Sequence, residues 1–184
     1  MDSPVLLQRH HDGGDRIDLG SANVRETLLS STRKVAEALG TGRRESVYQC
    51  ALKHELKQCL GGRVMLEYPL PILYENERIG VSYLDILLYG SFFVEVKATA
   101  KLAGKDLLQT QAYSRDCGLV GFLVNFKQTS AGGVEFFFLD GQGNSYMQQG
   151  GKFYDAGDYN PDVHGLPVPL AEKQKKQRSK LQIA

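Results

Sequence analysis

At 184 residues, 42% of them hydrophobic, the chain carries enough apolar material for one folded domain with tails. A net charge of +1 excludes the global basic footprint of many nucleic-acid binders, so any polyanion site must be a local patch. Cys50, Cys59 and Cys117 are odd in number and lack C-x-x-C spacing, which argues against a disulfide framework and structural zinc and for free thiols in a reducing compartment.

Residues 1 to about 20 read as a loose polar segment. No long apolar run marks a secretory signal or a membrane span, so an intracellular chain, cytoplasmic or nuclear, is expected. His10 and His11 are ligand-type side chains, but a polar tail explains them as well. The first helix is expected from Ala22 to Leu39, with Val24, Leu28, Val35 and Leu39 on one face and Gly40-Thr-Gly42 as its stop. The second runs from about Arg43 to Leu60 and ends at Gly61-Gly62. With Tyr48 at zero on its wheel, Leu52, Leu56 and Cys59 fall within about 80° and Glu45 at about 60°. A glutamate in the first turn suits the helix dipole, which does not explain why it faces inward.

Arg63 to Tyr74 reads as an edge strand, because Pro69 and Pro71 lack the N–H a central strand needs. Glu75-Asn76-Glu77 is a turn. Ile79 to Leu88 and Phe92 to Ala98 are two further strands around Tyr89-Gly90-Ser91. Side chains alternate along a strand, so Glu95 and Lys97 share one face and Val94 and Val96 the other. Charges in an apolar strand are costly to bury without compensation, and Asp85 adds a third in the strand before. Two carboxylates and a backbone carbonyl suit a hard divalent cation. The alternative is a solvated edge with Asp85 as a cap.

A third helix is expected from Ala103 to Cys117, with Gln109 and Tyr113 one turn apart, ended by Gly118. Leu119 to Phe126 is a continuous apolar run, the mark of a strand buried on both faces. Val134 to Leu139 is a last strand after Gly132-Gly133. Residues 21–140 are therefore expected to form the domain, and 141–184 a Gly-rich polar extension. Its final stretch, Glu172 to Lys180, has five basic residues against one acid, and reads as a solvated tail or a phosphate-binding or nuclear-targeting one.

The element order ααβββαββ, with charges at the middle hairpin, looks like the core of the restriction-endonuclease-like PD-(D/E)xK nucleases, an α/β (α+β) fold with a mixed central sheet of about four to five strands flanked by helices. Gly42-Arg-Arg-Glu45-Ser-Val-Tyr48 resembles the motif of the GxxExxY proteins, a family placed in that superfamily. The resemblance continues through Pro69-Leu-Pro-Ile-Leu-Tyr74, Asp85, Glu95-Val-Lys97, Gln109-x-x-x-Tyr113 and Leu123-Val-Asn125-Phe126, and covers about residues 24 to 127. It implies that Asp85 binds metal, that Glu95 and Lys97 are the (D/E)xK pair, and that Glu45 completes the metal site. It also implies that Gln109 and Tyr113 border the active site. Ser82-Tyr83-Leu84 departs from relatives, which often carry an Arg and a small residue there.

The implied function is Mg²⁺- or Mn²⁺-dependent phosphodiester hydrolysis. Asp85, Glu95, the Val96 carbonyl and Glu45 would hold the ion. Lys97 would hold the attacking water and stabilise charge, and whether it also serves as a base stays open. Gln109 would orient the nucleotide or water, or is an ordinary surface amide. Tyr113 reads more as packing than chemistry. Arg43, Arg44, Lys101, Lys105 and Arg115, with Tyr113, are the candidate nucleic-acid contacts. The expected partners are nucleic acid, DNA ahead of RNA, and a second copy or larger assembly. The alternative is a nuclease fold that no longer cuts, serving as a nucleic-acid-binding or assembly protein.

Overall fold

A computed structural model of the chain describes residues 22–61, 64–88, 90, 92–139, 145–149 and 152–155. His10, His11 and the basic tail lie outside them. Three helices, α1 (Ala22–Leu39), α2 (Glu45–Leu60) and α3 (Gly104–Cys117), pack on a sheet. Its strands are β1 (Val64–Tyr74), β2 (Glu77–Leu88), β3 (Phe92–Lys97), β4 (Val120–Phe126), β5 (Val134–Leu139), β6 (Ser145–Gln149) and β7 (Lys152–Asp155). They lie side by side in chain order. Only β3 and β4 run parallel, as the crossover through α3 requires; every other neighbouring pair is antiparallel.

The order ααβββαββ and the restriction-endonuclease-like core are as expected from the sequence, and β6 and β7 extend the five-stranded core within the stretch read as a polar extension. The expected boundaries hold to within two residues. β1 is an edge strand, and Pro69 and Pro71 leave its outer edge short of donors for another chain.

Strand alternation divides the core into two layers. Ile86, Leu88, Val94, Val96, Phe122, Val124 and Phe126 face α1 and α2, against Leu28, Tyr48, Leu52 and Leu56. Leu87 and Phe93, with Leu123 and Phe137, face the α3 side. β4 is buried on both faces, as its apolar run implies. Gly121 pairs with Phe93 across the parallel ladder. The Phe93 ring lies over it so closely that an added Cβ would sit 2.5 Å from Cζ and 2.7 Å from Cε1. Phe93 is fully buried and has nowhere to swing. Gly121→Ala is therefore expected to destabilise the protein by roughly 1–3 kcal/mol, read from the midpoint of urea unfolding.

One irregularity matters for function. Leu84 belongs to the layer under α3, yet Ile86, two residues on, belongs to the layer under α1 and α2. Residues two apart on a regular strand share a face, so β2 rotates at Asp85. On β1, Glu67 sits between the partners of Ile86 and Leu84 and takes a left-handed conformation, φ 50°. Beyond this point β1 and β2 continue as a two-stranded arm closed by Glu75 and Asn76, both at positive φ as a type I′ turn needs. The β2–β3 ladder contains only Ile86 to Leu88 and Phe92 to Val94. The two strands part at Asp85 and Glu95.

Candidate active site

Where β2 leaves β3, the next ladder hydrogen bond is replaced by a side chain. The Val96 N–H donates to Asp85 Oδ2 at 2.7 Å. The N–H and C=O of one strand residue point to the same edge, so the Val96 carbonyl also faces this gap. Glu95 is 2% exposed and projects on the face opposite Val96. Lys97 shares that face, with its Nζ 3.6 Å from Glu95 Oε1. Glu95 Oε2 is buried and met by no N–H or hydroxyl donor, and the Glu95 and Asp85 carboxyl groups lie within hydrogen-bonding reach of each other.

Glu45 comes from the other layer. The first turn of α2 brings its carboxylate round the end of the sheet, where it accepts from the Ala98 N–H and feels both Lys97 and Asp85. Glu45, Asp85, Glu95 and Lys97, spread over 53 positions of the sequence, thus form one electrostatic cluster.

Crowding and burial set its charge state. Glu95 is pushed up to about 8, mainly by burial and then by the Asp85 carboxylate beside it. Burial also raises Asp85, against the pull of the Val96 N–H and Lys97. Burial raises Glu45 too, with Asp85 and Asp106 adding to it. For Lys97, burial pulls downward, but Glu95, Glu45, Asp85 and Asp106 together hold it above its ordinary value. Held up by these acidic neighbours, Lys97 is an ammonium.

A second tier of polar residues holds the parts in place, and the sequence did not single these out. The Gln49 side chain hydrogen-bonds Asp85. It lies one turn after Glu45, about 40° away on the wheel, and that spacing was its only signal. Asp106 Oδ2 accepts from the Ala103 N–H at 2.9 Å and fixes the start of α3 beside Lys97 and Glu45. In sequence it is indistinguishable from an ordinary helix-capping acid.

Two residues at the end of β4 hold the loops on either side of the cluster. Asn125 is fully buried; its Oδ1 accepts from the Thr99 N–H at 3.0 Å, and its Nδ2 donates to the Thr99 carbonyl and to Glu135 Oε2. Gln128 Oε1 accepts from the Gly42 N–H, and Nε2 donates to Tyr48 Oη at 3.1 Å and to the Phe126 carbonyl at 2.8 Å. Tyr48 Oη in turn donates to the Gly40 carbonyl at 2.7 Å, and its ring stacks on Phe126 at 4.5 Å. The G-x-x-E-x-x-Y spacing now has a mechanical meaning. Gly42 and Tyr48 are anchored to one amide, and Glu45 stands between the anchors. Gln128→Ala is expected to cost about 1–2 kcal/mol in urea unfolding. Gln128→Glu, which keeps the acceptor for Gly42 but loses both donors, should do no better.

The remaining candidates are distributed as follows. Gln109 Nε2 donates to Tyr113 Oη at 2.8 Å, on the exposed side of α3, and neither is an electrostatic partner of the four cluster residues. Tyr113 packs against Leu70, Leu84 and Phe93. Arg43 and Arg44 are exposed immediately before Glu45, and Lys101 and Lys105 are exposed on either side of the α3 start, next to Asp106. Arg115 lies at the other end of α3, about 14 Å along the axis from Asp106. A cavity of about 520 Å³ lies elsewhere, between α1 and the β4–β5 turn, and is lined by Arg33, Glu37 and Gly132 among others.

Among the described residues no three Asp, Glu, His or Cys side chains are gathered closely enough to enclose an ion outright. The donor set nevertheless fits a hard cation that keeps most of its water: two carboxyl groups press on each other, a third is near, and no N–H or hydroxyl donor meets one buried oxygen. A cation beside Glu95 Oε2 would satisfy that oxygen and relieve the repulsion with Asp85.

No curated protein and no solved structure is significantly similar to the chain. A model of the PD-(D/E)XK nuclease superfamily matches residues 22–136, from the start of α1 into β5, which includes the whole carboxylate cluster and both β4 anchors. The chain belongs to the PD-(D/E)XK nuclease superfamily.

Proposed function

We propose that the protein is a divalent-metal-dependent nuclease of the GxxExxY type, acting on DNA ahead of RNA. The observation that carries this reading is the buried Glu95 Oε2, met by no N–H or hydroxyl donor and set against the Asp85 carboxyl group, within a cluster that also holds an ammonium. A merely structural protein gains nothing from that arrangement, because each of these charges costs stability when buried.

Asp85, Glu95, the Val96 carbonyl and Glu45 would hold Mg²⁺ or Mn²⁺. The bound ion supplies positive charge and acidifies a water molecule. Lys97 donates to the phosphate and to the attacking oxygen, and stabilises the extra negative charge as water adds to phosphorus and the leaving alkoxide departs. Gln49 holds the Asp85 carboxylate, and the Ala98 N–H holds Glu45. Arg43, Arg44, Lys101 and Lys105 grip the backbone on either side. Gln109 and Tyr113 would act at the margin, through the substrate rather than the reacting atoms.

The test is cleavage of labelled DNA and RNA, single- and double-stranded, with Mg²⁺, with Mn²⁺ and with chelator. Cutting that needs the ion supports the reading. Cutting that persists in chelator, or none under any of these conditions, overturns it. Nucleic-acid binding without cutting would favour the silent nuclease fold instead.

A further inference from the structure

Tyr83 is 53% exposed, although it lies two residues, about 7 Å of strand, before Asp85. Its side chain is on the face of the β1–β2 arm opposite Leu84, which is fully buried under α3. That outer face carries Tyr83 and Val81 from β2, with Pro69 and Pro71 directly across on β1. Ile79, further out on β2 at the point where the register shifts, is 65% exposed. Tyr83, Val81, Pro69 and Pro71 form an uncharged ribbon, and the arm's one arginine, Arg78, lies beyond it opposite Leu73. The arm as a whole, Val64 to Leu84, has three glutamates against one arginine. The cluster is therefore bounded asymmetrically. Arg43, Arg44, Lys101 and Lys105 flank it on the α2 and α3 sides, and an uncharged aromatic ribbon on an acidic arm flanks it on the β2 side.

The two edges fit the two sides of one unpaired strand. A single strand presents phosphates along one side and free base faces along the other. A duplex presents phosphates on both sides and hides its base faces in the stack. Seating an intact duplex here would press the second backbone against apolar surface and glutamates, with Arg78 at the far end of the arm as the one cation to meet it. We propose that Tyr83 is a stacking platform for an unpaired base next to the scissile phosphate, and that it selects single-stranded nucleic acid over duplex. Pro69 is the residue directly across the ladder from Tyr83, and the strand fixes the distance of Tyr83 from Asp85. Aromatic stacking accepts any base, so the selectivity is for strand state and not for sequence.

This inference rests on the nuclease reading, and the experiment separates the two. Binding of the full chain is measured by fluorescence anisotropy in chelator, with a single DNA strand, the same strand as duplex, the matching RNA strand, and a strand of equal length built from abasic residues. Tyr83→Ala is expected to weaken binding of the DNA or RNA strand by about tenfold, Tyr83→Phe to leave it unchanged, and neither to alter binding of the abasic strand. Wild-type protein should bind the duplex at least about tenfold more weakly than the single strand. Equal binding of single strand and duplex, or a Tyr83→Ala protein that binds the single strand like wild type, overturns the inference. Cleavage is then followed in Mg²⁺. Cutting without Tyr83 dependence removes the stacking role and leaves the nuclease standing. Tyr83-dependent binding without cutting does the reverse.

Discussion

Asp85→Asn is expected to lower metal-dependent cleavage by at least about 10³-fold while making the metal-free protein more stable. The two effects have one cause. Asparagine keeps an oxygen where Asp85 Oδ2 accepts from the Val96 N–H, so the gap between β2 and β3 stays closed. It removes the charge that raises Glu95 and burdens Glu45. On the metal-site reading it also removes a ligand of the ion. Loss of activity alone would follow from any damage to the fold. A rise in melting temperature together with loss of activity does not, and marks a site kept at the expense of stability. The measurements are a melting curve in chelator and a cleavage time course in Mg²⁺. A variant that melts lower than wild type, or one that still cuts, would sink the metal-site reading of Asp85.

The second large effect is a pH dependence that runs opposite to that of an ordinary salt-bridged acid. The folded state raises Glu95 from 4.5 to about 8, so between those values the native protein holds a proton that the unfolded chain has released. Stability is then fully present below about pH 4.5 as far as this group is concerned, and is lost as pH rises through about 8. Asp85 and Glu45 are raised as well and act in the same direction. The metal-free protein should lose about 5 kcal/mol across this range. Glu95→Gln should flatten most of the slope. Mg²⁺ should stabilise wild type more at pH 8 than at pH 6, because ion and proton compete for the same oxygens. Urea titrations from pH 5 to pH 8.5 test this. A flat profile for wild type, or an unchanged slope in Glu95→Gln, would contradict the placement of a proton on Glu95.

Local period carried much of the site. Alternation put Glu95 and Lys97 on one strand face, and the wheel of α2 turned Glu45 inward; both hold in three dimensions. The apolar run of β4 and the prolines of β1 placed the buried and the edge strand. β6 and β7 were missed because Ser145 to Asp155 has no apolar alternation, and such strands are held largely by backbone hydrogen bonds to β5 and to each other.

What the chain determined by itself is the type and order of its elements and the faces its charges take, since these depend on neighbours three or four residues away. What only the tertiary structure decided is which distant segments meet: Gln49 with Asp85, Asp106 with Glu45, and Gln128 with Gly42. Each is a common polar residue whose local role would be a solvated surface or a cap. The left-handed residue Glu67, on β1 at the level where β2 leaves β3, has no signature in sequence. The physical reason is range: a period is a property of one segment, whereas burial raises a carboxylate, and a lone amide becomes an anchor, only when another part of the chain has excluded the water.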